Sequence, residues 1–380
     1  MRSLSKEQKF FINTLKDYLL EQSSEVPSNV DWDIIKNFAD RHQVTAVLYK
    51  QTKEPRFQKA FAYQLFRYTN FNCTIDLFKK ALSGYEYLIV KGAVLANLYQ
   101  VPALRSMGDI DTLIHYEARE SVKGALLNAG FEFKGDGGIG EIKYSKNGYL
   151  FEIHDSLVHR YNGNEELVNY FLHVWDYVEN GQINWSFHLI YLIEHLRQHF
   201  VDEGVGFRQF MDIAIVCKKC SIDWNFVSEE LQKIKLLDFA LTVFAFVRKW
   251  FEIEIPIKTR ELSDEFFVKS TQKIFDDGVF GFDNADNKET ELAFQMHYKG
   301  IDYQTARKEY IGKKFFPRYE EMCKLPYCEY VKKGKWLLPI AWIHRIIYRC
   351  FSKQSRDNMK QQLSTDKVMN RVDMLTQWGL

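Results

Sequence analysis

Apolar residues recur at helical spacing through residues 5 to 82. Phe10, Phe11, Leu15, Leu19 and Leu20 share one helix face. Asp31-Trp32-Asp33, just before Ile34, Ile35 and Phe38, reads as a helix start with an acidic cap, and Phe57 to Leu82 reads as a longer helix. The period then shortens. Tyr87 to Val90 is a brief apolar run ending at Lys91-Gly92, Ala93 to Tyr99 is helical until Pro102, and Ile110 to His115 is strand-like. Glu117 to Ala129 forms a helical pattern closed by Gly130. Glu141 to Ser145 and Tyr149 to His154 read as two further strands joined by a tight turn. From Trp185 the helical period returns, carried by Leu189, Leu192, Ile193 and Leu196, then by Phe210, Ile213, Ala214 and Cys217. Residues 253 to 290 are mixed and polar and read as a long surface loop, and more helix follows in 291 to 380.

This order predicts an α+β fold, a small mixed β-sheet core in residues 83–180. A helical lobe, 1–82, precedes it and a second, 181–380, follows it. The chain of 380 residues is 46% hydrophobic and 27% charged, enough for ordinary packed cores. Lys plus Arg number 51 against 50 Asp plus Glu, which argues against a long nucleic acid as partner. Six scattered cysteines suit reduced thiols, and no signal-peptide pattern or long apolar run occurs, so the expected location is the cytoplasm. Cys217 and Cys220 lie in a helical pattern and lack a second pair of zinc spacing, so they read as two helix thiols.

The sharpest chemical signal is Gly108-Asp109-Ile110-Asp111. Alternate residues of a strand face one side, so Asp109 and Asp111 converge while Ile110 turns to the core. Paired carboxylates repel each other, and a divalent cation relieves the repulsion; Mg²⁺ (or Mn²⁺) suits one or two carboxylates completed by phosphate oxygens and water. Glu152 and His154 share a face of the later strand, and Glu152 completes a set of three carboxylates if the two strands are neighbours. Upstream, Lys91-Gly92-Ala93 carries the chain from strand to helix beside a fixed positive charge, and Arg105 precedes the Asp pair on a loop with Ser106.

The string Lys91-Gly92, Leu98-Tyr99, Pro102, Arg105 and Asp109-Ile110-Asp111, followed by Phe131 and Glu152-Ile153-His154, resembles an uncharacterised nucleotidyltransferase family. That family belongs to the DNA-polymerase-β-like superfamily. The resemblance is strongest over residues 87 to 157 and extends more loosely to His195, Asp212 and the Trp336–Trp342 segment. It implies transfer of a nucleoside monophosphate from a nucleoside triphosphate to a hydroxyl acceptor. Asp109, Asp111 and Glu152 would bind metal and carry catalysis, while Lys91, Gly92, Ala93, Arg105, Ser106, His154 and His195 would hold the nucleotide and its phosphates. The chain departs from the superfamily turn at Ala93, where Gly or Ser is usual.

Other features point elsewhere less strongly. Gly135 to Gly140 lacks the Lys-Ser/Thr ending of a phosphate loop and reads as a hairpin turn. His188, His195 and His199 share a helix face, but Leu196 stands where a zinc-protease motif needs Glu, so they read as cleft lining. Arg208 and Asp212 are spaced for an ion pair along one helix. Trp336 to Phe351, preceded by Lys332, Lys333 and Lys335, fits either a helix packed on the body or a peripheral membrane contact. A nucleotide-sugar glycosyltransferase also uses Asp-x-Asp, and a non-catalytic nucleotide-binding module is the alternative outside enzymology.

Overall fold

The computed structural model describes residues 3–136, 141–158, 165–202, 204–279, 292, 296, 301–323, 325–351 and 365–380. It separates into two compact units, 1–285 and 286–380. The first holds every residue discussed as a site.

Unit one starts with helices whose ends follow from their caps. Ser5 accepts from the Gln8 backbone N–H at 3.1 Å, and the Gln8 side chain accepts from the Ser5 N–H at 2.9 Å, a reciprocal box that opens α1 (Lys6–Leu20). Asp31 caps α2 (Trp32–Arg41). After α3 (Thr45–Thr52) comes the long α4 (Gln58–Ala81).

Five strands then form one mixed sheet. They are β1 (Tyr87–Ile89), β2 (Asp109–Ile114), β3 (Glu132–Asp136), β4 (Glu141–Lys146) and β5 (Tyr149–His154), arranged β1-β2-β5-β4-β3. Only β2 and β5 run parallel; the other neighbours are antiparallel. Between β1 and β2 lies the short α5 (Gly92–Leu95), and between β2 and β3 lies α6 (Arg119–Asn128). Gly130 follows α6 at φ +74°, a left-handed stop that glycine takes without a Cβ penalty. The β4–β5 hairpin turns through Asn147 and Gly148, both at positive φ, the backbone that a tight two-residue hairpin requires.

Strand alternation splits the sheet into two faces. Ile110 and Ile114 of β2, Ile142 and Tyr144 of β4, and Tyr149, Phe151 and Ile153 of β5 pack on Phe71, Ile75 and Phe78 of α4 and on Val122 and Leu126 of α6. Phe78 stacks on Phe151 at 4.7 Å between ring centroids. With α4 and α6 on one face, the opposite face carries the polar residues of the same strands.

The chain continues through α7 (Glu165–Leu172), a small hairpin of β6 (Val178–Glu179) and β7 (Gln182–Ile183), and five helices. These are α8 (Trp185–Asp202), α9 (Phe207–Lys219), α10 (Trp224–Lys233), α11 (Leu237–Phe251) and α12 (Asp264–Asp277). The last corrects the expectation of a long loop over 253–290: Ser263 caps a helix there, and Ile274 and Phe275 are buried. Phe11 of α1 meets Phe207 at 5.6 Å and Phe275 at 5.5 Å, so the first helix shares a core with helices that follow the sheet.

Unit two contains helices over Tyr303–Phe315, Tyr319–Cys323, Leu338–Phe351 and Thr365–Trp378. Met322, Cys328, Val331 and Ala341 form a small core there, while Trp336, Ile340 and Ile343 are exposed. No helix among the described residues is long and apolar enough to cross a membrane. Most of the Gly135–Gly140 segment, and His159, lie outside the described residues.

Phe151, on the core face of β5, is fully buried. Phe151→Ala is expected to lower stability by about 3–5 kcal/mol, read as a fall in the urea midpoint of unfolding.

Candidate active site

The parallel pairing of β2 and β5 sets Asp111 opposite Glu152, Asp109 opposite Leu150 and Leu113 opposite His154. Because Ile110, Phe151 and Ile153 take the core face, Asp109, Asp111, Glu152 and His154 share the other one. One ligand atom each from Asp111, Glu152 and His154 lies within 4.8 Å of the others. Asp109 is on the same face but is exposed and stands outside that trio.

Two lysines neutralise this cluster. Lys91 Nζ donates to Asp111 Oδ1 at 2.8 Å, and the His154 Nε2 is 3.1 Å from the same oxygen. Burial alone would raise the Asp111 carboxyl, yet Lys91 and His154 hold it well below the usual range. Lys143, on β4 opposite Glu152, donates to Glu152 Oε1 at 2.7 Å and pairs with Glu141 at 2.7 Å. Burial raises the Glu152 carboxyl, as do Asp109, Glu141 and Asp111 nearby, while Lys143 opposes the shift. Lys91 itself sits at φ +54°, ψ −126°, a strained backbone for a residue with a Cβ, at the turn from β1 into α5.

A second charged group faces the same pocket. Arg105 donates through Nε and Nη2 to the two oxygens of Asp212 at 3.3 and 2.9 Å, and Tyr99 donates its hydroxyl to Asp212 at 2.8 Å. All three are buried. A Cβ on Gly92 would clash with Arg105 Nη1, so glycine there lets the guanidinium lie against the turn. The spacing of Arg208 and Asp212 predicts an ion pair along α9, but Asp212 is held by Arg105 and Tyr99 instead. Arg208 turns to Gln43 and Ser106. Ser106 spends its hydroxyl on the Gln43 carbonyl at 2.9 Å, and Ala93 packs its methyl against the sheet core.

The pocket between these groups has a volume of about 300 Å³. Its other wall is α8, which contributes Tyr191, His195 and His199. The His195 and His199 rings meet edge to face at 4.4 Å. Burial, with Lys91 and His199 beside it, keeps the His195 imidazole neutral well below its ordinary range. Cys217 and Cys220 are free thiols; burial pushes Cys217 up, and Cys220 to about 11, so neither offers a thiolate at neutral pH.

The model of a family described as uncharacterised nucleotidyltransferase matches residues 28–252, more than half of the chain. The chain belongs to that family. No curated protein and no solved structure matches it. The family span contains the acidic sheet face together with α8 and α9, so both walls of the pocket fall inside it. Membership supports a nucleotidyltransferase-type activity acting on a nucleotide substrate. In this nucleotidyltransferase-family chain, the oxygens and nitrogen of Asp111, Glu152 and His154 form a donor set of the kind that holds a divalent cation. Lys143 was not among the residues that the sequence pattern singled out, although the Asn147-Gly148 turn fixes it opposite Glu152.

Removing Asp111 leaves Lys91 without its counter-charge. Asp111→Asn is expected to cost roughly 3–5 kcal/mol in urea unfolding, and a Lys91→Met, Asp111→Leu double variant to recover most of it. The depressed Asp111 carboxyl contributes stability that is complete above about pH 4 and lost as pH falls further, so Asp111→Asn should flatten the acid limb of a stability–pH curve.

Proposed function

We propose that the pocket transfers a nucleoside monophosphate from a nucleoside triphosphate to a hydroxyl acceptor. The observation that carries the reading is the register of two parallel strands, which sets Glu152 beside Asp111 on the face shared by Asp109. A divalent cation, Mg²⁺ or Mn²⁺, held by Asp109, Asp111 and Glu152 with His154 beside them, would neutralise phosphate charge there.

The protein's own groups have separate tasks in this reading. The acceptor oxygen forms a bond to the α-phosphorus while the bond to pyrophosphate breaks. Glu152 receives the acceptor proton, a role favoured by a carboxyl that burial and three neighbouring carboxylates raise. Lys91 holds Asp111 in place and keeps it ionised. Gly92 and Arg105 shape the floor on which the phosphates rest, with Ala93 and Ser106 in the adjoining backbone. His195, neutral and on the opposite wall, faces the nucleotide as a hydrogen-bonding surface. The family match favours nucleotidyl over glycosyl transfer. The expected location is the cytoplasm.

Combined Asp109→Ala and Asp111→Ala substitution is expected to abolish Mg²⁺-dependent nucleotide binding in calorimetry; undiminished binding would count against the site. Incubation with labelled triphosphates, Mg²⁺ or Mn²⁺ and a metabolite extract should yield a nucleotidylated product by mass analysis, absent for Glu152→Gln.

A further inference from the structure

The charges around the pocket pair off almost completely. Lys91 is matched by Asp111, Lys143 by Glu152 and Glu141, and Arg105 by Asp212. Among the described residues two charges that line the pocket are left over, the Asp109 carboxylate and the Arg208 guanidinium, neither with an ion-pair partner.

Arg208 is anchored along one edge. Its Nη1 donates to Gln43 Oε1, to the Ser106 carbonyl at 3.2 Å and to the Ser106 hydroxyl at 3.3 Å. Its Nε is shielded from water and has no hydrogen-bond partner. The Nε–Nη2 edge is the side of a guanidinium that grips two oxygens of a phosphate or carboxylate together, and because Nε is shielded here the side chain turns for a ligand to reach both nitrogens. Arg105 cannot serve in its place, because the same edge of its guanidinium is spent on Asp212 and its Nη1 on the Ser106 carbonyl. Both arginines bond that carbonyl, so Arg105 and Asp212 brace the loop on which Arg208 leans. Burial, with Arg105 next to it, pushes the Arg208 guanidinium down to about 10, a cationic group that gains from an anionic partner.

We infer that Arg208 is the seat of the terminal phosphates of the substrate, so that the ligand is a metal-bound polyphosphate reaching from the acidic face to α9. The inference rests on the nucleotidyl-transfer reading for the identity of the nucleotide, and it assigns the phosphate grip to Arg208, where the sequence pointed to Arg105. The unpaired carboxylate meets the positive end of such a ligand and the unpaired guanidinium its negative end. Arg105 acts as a positioning residue through Ser106.

The test is calorimetry on the full chain with Mn²⁺ alone, then with inorganic pyrophosphate, ATP or AMP in the presence of Mn²⁺. Wild type is compared with Arg208→Met and Arg208→Lys. The expected result is a loss of roughly tenfold or more in pyrophosphate and ATP affinity for Arg208→Met, with Mn²⁺ and AMP binding retained. Arg208→Lys, which keeps the charge without the fork, should fall between; it carries the test if Arg208→Met does not fold. Wild type that binds no pyrophosphate, or variants that bind it as wild type does, would overturn the inference. Pyrophosphate binding that depends on Arg208, with no product formed from any triphosphate, would uphold the inference and remove the transfer reading. Product formation with pyrophosphate binding indifferent to Arg208 would do the reverse.

Discussion

Carboxylates held side by side in a half-dry pocket repel one another, and that repulsion organises the rest of this molecule. Two unit charges at 4 Å interact by about 4 kcal/mol at an effective dielectric near 20. The parallel pairing of β2 and β5 imposes such proximity on Asp111 and Glu152, since a shared register leaves neither strand free to slide. The fold meets the cost with lysines from two neighbouring segments. Lys91 comes from a strained turn after β1, and Lys143 from the adjoining strand β4. In the nucleotidyl-transfer reading these ammonium groups keep the acidic face stable until a metal and a polyphosphate take over the compensation.

The opposite side of the pocket follows the same electrostatic logic with the sign reversed. Two arginines lean on one carbonyl, and a single buried carboxylate, Asp212, neutralises one of them. The excess positive charge there faces the excess negative charge on the sheet. A pocket polarised in this manner suits a ligand that is itself a dipole of metal and phosphate, and it suits a neutral ligand poorly. The helices after the sheet therefore do more than cover it, since α8 closes the pocket and α9 supplies Arg208 to this positive end.

Much of the fold was legible because the signals were local. The strands near Tyr87–Val90, Ile110–His115, Glu141–Ser145 and Tyr149–His154, the stop at Gly130 and the shared face of Asp109 and Asp111 follow from alternation and from glycine chemistry over a few residues. The hairpin through Asn147 and Gly148 even fixes Lys143 opposite Glu152, a consequence that the sequence carried but that needed the register to be counted out. The helix over Asp264–Asp277 was hidden because its polar flanks dominate the composition of the segment, although Ser263 and the pair Ile274-Phe275 mark it. The exchange of partners at Asp212 was not legible. The i, i+4 spacing favours Arg208, whereas Tyr99 and Arg105 arrive from more than a hundred residues away along the chain, and only tertiary packing brings them there.

In the nucleotidyl-transfer reading Asp111 and Glu152 would jointly hold the cation, beside the Lys143 ammonium seated on Glu152. A crystal soaked with Mn²⁺ and recorded at the manganese absorption edge would show where the ion sits. An anomalous peak is expected at coordinating distance, about 2.1 Å, from carboxylate oxygens of both residues, with the Lys143 ammonium turned away from Glu152. A protein that takes up manganese elsewhere, with Lys143 still seated on Glu152, would contradict that reading.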